Sequence, residues 1–329
     1  MKNPPAVLGF GTAVLDLLAN VDDSFIQEHS CGGKGGMVLI DDAACSDMLS
    51  KLPEYVVAPG GSAGNTLAGL LHLGVNCRML GKVGRDPQGD IYRERFAKLG
   101  GDLSAFKFSE KTPTGCCICL VTPDSERTMR TFLGAASEIT GADFSPEDLD
   151  GIDLLHLEGY QLYSPGMFET LLSEAKKRGI PVSFDFSSYE IVRTFHDRIR
   201  SLLKDIDIVF ANEEEAAAFA EKEESSPEEI LKELSACCNT AVVKLGKKGA
   251  LLSRNGEILR VQAELVPAVD TTGAGDLWQA GFLYGHLMGK DLETCGKMGA
   301  VLGAEVVQVL GASIPGDRWQ MITEKFNQI

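Results

Sequence analysis

The chain has no apolar run approaching the roughly 18 residues that a membrane-spanning helix needs. Its opening, MKNPPAVLGFG, lacks the charged and apolar regions of a secretory signal. Basic residues are scarce: 31 Lys and Arg stand against 47 Asp and Glu, a net charge of −16 in 329 residues. Such a surface repels phosphate backbones and anionic lipid, which argues against nucleic acid or a membrane as partner but leaves room for a local small-anion site. The five histidines are scattered and the nine cysteines are odd in number. The C-x-x-C spacing of Cys116 and Cys119 in TGCCICLV has no second ligand pair. These absences argue against a disulfide framework and a structural zinc site, and they place the chain in a reducing cytoplasm.

What is present is alternation. Short β-rich runs such as AVLGFG, NCRMLGKVG, DLLHLEG, PVSFDFS, DIVFAN and TAVVKLG are separated by helix-period segments. In SAGNTLAGLLHLG, Leu67, Leu70, Leu71 and Gly74 recur at helical spacing; DPQGDIYRERFAKLG opens with Asp-Pro and closes at Gly. Repeated βα units predict an α/β fold with a mainly parallel sheet, helices on both faces and a ligand at the carboxyl ends of the strands. Residues 12–21, 36–40 and 115–134 break the pattern and read as strands, the last as a hairpin turning at PDSE. They predict a small β-sheet lid on a single domain spanning 1–329; no linker or repeat divides the chain.

Two common nucleotide signatures fail. No G-x-x-x-x-G-K-[ST] occurs, and GFGTAV lacks the third glycine of a dinucleotide fingerprint, which argues against a dehydrogenase. Four other stretches remain. PGGSAGN places Gly60 and Gly61 before a helix carrying Ser62 and Asn65, suited either to a helix cap or to close approach of a ligand hydroxyl. NEEEAAAF opens a helix with three acids, an ordinary dipole arrangement when taken alone. VKLGKKGA fits a hairpin turn or a wall beside a nucleotide.

DTTGAGD at 270–276 is more specific. Gly273, Ala274 and Gly275 bare main-chain amides at a helix start, yet a carboxylate, Asp276, follows in the first turn. Two reactants resolve this conflict. The amides of Ala274, Gly275 and Asp276 would stabilise a transferring phosphoryl group, and Asp276 would take the proton of the attacking hydroxyl. The helix terminus is expected to keep that carboxylate ionised.

On these residues the chain resembles the ribokinase-like (PfkB) carbohydrate and nucleoside kinases. GGSAGN matches one family signature, DTTGAGDLWQAGF the other, and the NEEE and VKLGKKG stretches fall between them in family order. GTAVLDLLANVDDSF, PTGCCICLVTPDSERTMRTFLGAAS and DIDIVFANEEEA are most similar to the adenosine kinase branch. The resemblance implies a three-layer ribokinase-like fold and transfer of the γ-phosphate of ATP to a primary hydroxyl, that of adenosine before that of a sugar. It makes Asp276 the base and Gly273, Ala274 and Gly275 the anion hole. Asp16 would grip vicinal hydroxyls, with Thr12, Gly60, Gly61, Ser62 and Asn65 around them. Asn212 and Glu215 would organise Mg²⁺ through water, and Lys244, Gly246 and Gly249 would line the ATP side. Arg127 would reach the phosphates on lid closure. Met37, Leu39, Cys117 and Leu133, with Tyr160 or Tyr189, would flank a base or simply pack lid on core. Asp270 and Thr272 suit a monovalent cation such as K⁺. A sugar kinase, a nucleoside-binding pseudokinase, and a monomer or a homodimer all remain open at this stage.

Overall fold

Along the first strand, Ala6–Phe10 (β1), side chains alternate between two cores: Val7 packs on one side, Leu8 and Phe10 on the other. In the computed structural model, which describes residues 4–124, 126–222 and 225–329, that division runs across a large sheet. The further strands are Val14–Asn20 (β2), Met37–Leu39 (β3), Val56–Pro59 (β4), Asn76–Leu80 (β5), Lys82–Gly84 (β6), Lys107–Ser109 (β7) and Thr114–Val121 (β8). They continue with Arg127–Gly134 (β9), Leu154–Glu158 (β10), Val182–Asp185 (β11), Ile208–Asn212 (β12), Thr240–Lys244 (β13), Ala250–Arg254 (β14) and Glu257–Val261 (β15).

The large sheet has the order β15-β14-β13-β12-β11-β10-β1-β5. From β5 to β13 all neighbours are parallel; β14 and β15 add an antiparallel hairpin edge. Helices Ser62–His72 (α1), Ala274–Leu287 (α3) and Leu292–Val306 (α4) bury Leu67, Leu277, Phe282 and Val301 with Val7. On the opposite face the helix Met167–Arg178 buries Phe168, Leu171 and Leu172, and Glu213–Ala220 (α2) buries Phe219. Each fully buried Leu or Phe contributes about 1.5–3 kcal/mol. No helix among the described residues is long and apolar enough to cross a membrane.

A second sheet has the order β3-β9-β8-β2-β4. Residues 12–21, 36–40 and 115–134 supply four of its strands, but β4 has no counterpart in the sequence expectation, because VVAP is short and runs into Pro59. In this sheet Asp16 lies beside Cys117 on one side and Ala58 on the other, and Cys117 lies opposite Thr131. Strand alternation then puts Asp16, Cys117, Cys119, Arg127, Met129, Thr131 and Leu133 on one face. Met37 and Leu39 of β3 pair with Met129 and Thr131 on the same face. The connection from β1 to β2 is only Gly11–Ala13, so the two sheets are neighbours along the chain. The run 76–84, read as one strand from sequence, breaks at Gly81: β5 joins the large sheet and β6 pairs with β7.

Candidate active site

Four parallel strands end in polar residues at one edge of the large sheet: Glu158, Asp185, Asn212 and Lys244. Glu158 is in register with Asp185, and Asn212 with Lys244. Helix α3 begins at this edge. Gly273 takes the left-handed conformation (φ 69°) before Ala274, and the Lys244 ammonium lies 3.1 Å from where a Cβ on Gly275 would stand. The Ala274 amide donates to the Thr271 carbonyl at 3.2 Å, so it is not free as expected. No acceptor is found among the described residues for the amides of Gly275 and Asp276. The cup for an anion is therefore these two amides, the helix dipole and Lys244.

Asp276 is half-buried in the first turn of α3. Ser62 Oγ donates to its Oδ1 at 2.8 Å and Asn65 Nδ2 to its Oδ2 at 2.9 Å, both from the start of α1. Ser62 and Asn65, expected to meet a substrate hydroxyl, both hold this carboxylate. The pull of the helix terminus on the Asp276 pKa is outweighed. Burial pushes it above the usual carboxylate range and the neighbouring Asp185 adds to the rise, while the bonds from Asn65 and Ser62 and the charge of Lys244 oppose it.

Asp16 reaches the same space along Gly60–Ser62. A Cβ on Gly60 would overlap the Asp16 carboxylate, and one on Gly61 (φ 87°) would overlap the Thr12 carbonyl oxygen. The two glycines are thus required by the close approach of α1 to β2. Burial and the charge of Asp276 push Asp16 up to about 7, against the pull of Arg127. Thr12 does not face this space. It is buried, its hydroxyl donates to Glu158 Oε1 at 2.5 Å and accepts from Gln161 Nε2 at 3.1 Å. Glu158 also accepts from the Thr12 and Ala63 amides, the latter at 3.0 Å, so it caps α1 where Gly61 has no side chain to do so. Burial pushes Glu158 up to about 7.

Asn212 and Glu215 form a reciprocal cap at the start of α2: Asn212 Oδ1 accepts from the Glu215 amide, and both Glu215 oxygens accept from Asn212, each at 2.8 Å. Glu215 is buried, and burial with the charge of Asp185 pushes it up to about 8. Lys244 pairs with Asp185 at 3.3 Å. Burial alone would lower the Lys244 pKa, but Asp185, Glu215 and Asp276 together hold it above the usual value. Gly246 is open to solvent. Gly249 is buried with φ 90° where Val261 crosses, so the β13–β14 hairpin requires a glycine there.

Arg127 turns to Asp270, 3.7 Å away, and to the Thr272 hydroxyl. The Asp270 carboxylate also accepts from Thr272 and from the Gly311 amide at 2.8 Å. Burial works against its ionisation, but these bonds and Arg127 hold its pKa below the usual range. Three N–H and O–H donors and the nearby guanidinium already engage this carboxylate, so a K⁺ held by Asp270 and Thr272 would have to compete with them. Met37 and Leu133 are partly buried and Leu39 is exposed on the Asp16 face of the second sheet. Tyr160 and Tyr189 follow β10 and β11 of the large sheet. Sequence reasoning missed Asp185, Glu158 and Gln161; the only signal was an acid closing an apolar run in LLHLE and VSFD.

Residues 36–319 match the family described as pfkB family carbohydrate kinase. The chain is 30% identical to an adenosine kinase of Saccharomyces cerevisiae, over 97% of this chain and 98% of that protein. The solved structure of an adenosine kinase from Sinorhizobium meliloti superposes with a TM-score of 0.89 at 32% identity, covering 100% of both chains. A probable sugar kinase protein from Rhizobium etli superposes with a TM-score of 0.88 at 31% identity, again over 100% of both.

Proposed function

Since the chain belongs to the PfkB family of carbohydrate kinases, has the ribokinase-like fold and is an adenosine kinase-like phosphotransferase, we propose that it moves the γ-phosphate of ATP to the primary hydroxyl of adenosine. The observation that carries this reading is the Asp276 carboxylate, clamped by Ser62 and Asn65 at the tip of α3 beside two open amides and Lys244.

Asp16 accepts hydrogen bonds from the vicinal hydroxyls of the ribose and so presents the primary hydroxyl to Asp276. Asp276 takes its proton as the new O–P bond forms. A pKa raised above the ordinary carboxylate value brings this base closer to neutral pH, where proton transfer is better matched. The amides of Gly275 and Asp276 and the ammonium of Lys244 stabilise the charge on the transferring group. The second sheet acts as a lid whose apolar face, with Met37, Cys117 and Leu133, covers a purine better than a bare sugar and excludes water. Arg127, released from Asp270, turns to the phosphates as the lid closes.

Mg²⁺ bound here would neutralise triphosphate charge. Asp185 and Glu215 would fit it through water: Asp185 presents a carboxylate beside Lys244, and a bound cation would favour release of the proton that Glu215 holds up to about 8, while both Glu215 oxygens are already engaged by Asn212.

A mass-spectrometric phosphorylation screen over adenosine, inosine, guanosine, ribose and fructose tests the reading. Preferred conversion of adenosine to AMP is the expected result. Turnover of a sugar alone would make the chain a sugar kinase, the alternative favoured by its likeness to the Rhizobium etli protein. Binding without ADP release from any acceptor would refute catalysis.

A further inference from the structure

Cys117 and Cys119 lie two apart on β8, so their thiols leave one face of the second sheet, and Asp16 occupies the adjacent position on β2. The two sulfurs are 3.6 Å apart, and the three ligating atoms all lie within 4.8 Å of one another. A tetrahedral centre with metal–sulfur bonds of roughly 2.3 Å sets its sulfurs roughly 3.8 Å apart. The pair therefore already has chelating geometry. The relevant spacing is not the C-x-x-C of Cys116 and Cys119, which point to opposite faces, but the C-x-C pair completed from another strand. The Thr131 hydroxyl donates to Cys117 Sγ at 3.2 Å, supporting a ligand from behind, and Leu18, Ala58 and Met129 enclose the sulfurs in apolar surroundings. Arg127, the cation on this face, has its charge turned towards Asp270.

We propose that Asp16, Cys117 and Cys119 form a three-ligand site for a thiophilic divalent cation of the zinc class, and that filling it takes the Asp16 carboxylate away from the acceptor hydroxyls. Two thiolates and a carboxylate with an open fourth position suit such an ion and not Mg²⁺ or Ca²⁺, which demand oxygen ligands. Binding exchanges the two thiol protons for the cation and needs no oxidant. The blockade, unlike the binding itself, rests on the acceptor role proposed for Asp16.

Titration of the reduced protein with Co²⁺ tests the site. A sulfur-to-cobalt charge-transfer band should saturate at about one cobalt per chain. Cys119→Ser and Cys119→Ala should both lose it, and whichever keeps the native melting profile is decisive; Cys31→Ser, which alters an exposed thiol, should keep it. No band in the native chain, or a band that survives loss of Cys119, overturns the site. In an ADP-release assay, Zn²⁺ should inhibit competitively with the acceptor, and Cys119→Ser should raise the inhibitory concentration by about 10–100-fold. If the cobalt band forms but zinc inhibition is indifferent to the acceptor, the site stands and the blockade falls with the role given to Asp16.

Discussion

Replacing Asp276 with Asn asks whether a proton acceptor is needed at the tip of α3. The substitution preserves shape. The new amide oxygen can accept from Asn65 Nδ2, now 2.9 Å from Oδ2, while the new NH₂ faces Ser62 Oγ, now 2.8 Å from Oδ1. Ser62 can reverse its hydroxyl, accept that NH₂ and donate instead to Asp185 Oδ2 at 3.3 Å. The clamp therefore survives at the cost of about one hydrogen bond strength, roughly 1 kcal/mol. Against this, the variant removes a carboxylate whose pKa is raised by burial and by Asp185, which offsets that loss wherever the carboxylate is ionised. Folding stability should stay nearly level. Catalysis should not: removal of a positioned general base costs about 10²–10⁴-fold in turnover, or roughly 3–5 kcal/mol. Steady-state ADP release should thus show kcat reduced by that factor with the KM values for acceptor and ATP changed by less than about threefold. A variant within about tenfold of native kcat, with an unchanged melting profile, would refute the assignment of Asp276 as base.

The buried acids predict an inverted pH response of the ligand-free protein. Unfolded, Asp16, Glu158 and Glu215 give up their protons near their ordinary values of 3.8, 4.5 and 4.5; folded, they hold them up to about 7, 7 and 8. Between these limits the folded state binds more protons, so stability is greatest at the acid end of the window and falls as pH rises. Melting temperature should drop between about pH 6 and about pH 8, and Glu158→Gln should flatten this slope by on the order of 1 kcal/mol. Acceptor binding should follow the opposite course, with kcat/KM falling as pH is lowered through about 7 and Asp16 takes up its proton. Gly61→Ala, forced to φ 87° against the Thr12 carbonyl, should lose about 1–3 kcal/mol in denaturant melts. Lys244→Met should raise the KM for ATP more than that for the acceptor; equal effects would remove Lys244 from the phosphate side.

The parallel strands and the helices that follow them were legible because apolar runs and 3.6-residue periodicity alternate so regularly, and α1 and α3 begin at the glycine-rich stretches that announce them. Strand β4 was illegible because four residues ending in proline carry no period, and Gly81 hides a change of sheet within what reads as one strand. The site was half legible. Asp276, Ser62 and Asn65 stand out locally, but that they bond one another depends on contacts across more than 200 residues. Glu158 and Asp185 look like stray acids until parallel register sets them side by side. The helix start at Asp276 was legible from the glycines before it, but the upward displacement of the carboxylate's pKa was not, because dehydration by the surrounding fold has no local sequence mark.

Glu158 has one more consequence. By grasping the main chain at Thr12 and at Ala63, it fastens both peptide crossings that lead from the large sheet towards β2 and away from β4. For the lid closure proposed above, this anchoring predicts a swing of the smaller sheet that is least at Asp16 and grows with distance from Thr12 and Ala63. On that reading the mouth would open and shut while the spacing of the Asp16 and Asp276 carboxylates stays fixed, so that admission of ligands and alignment for chemistry would be mechanically separate.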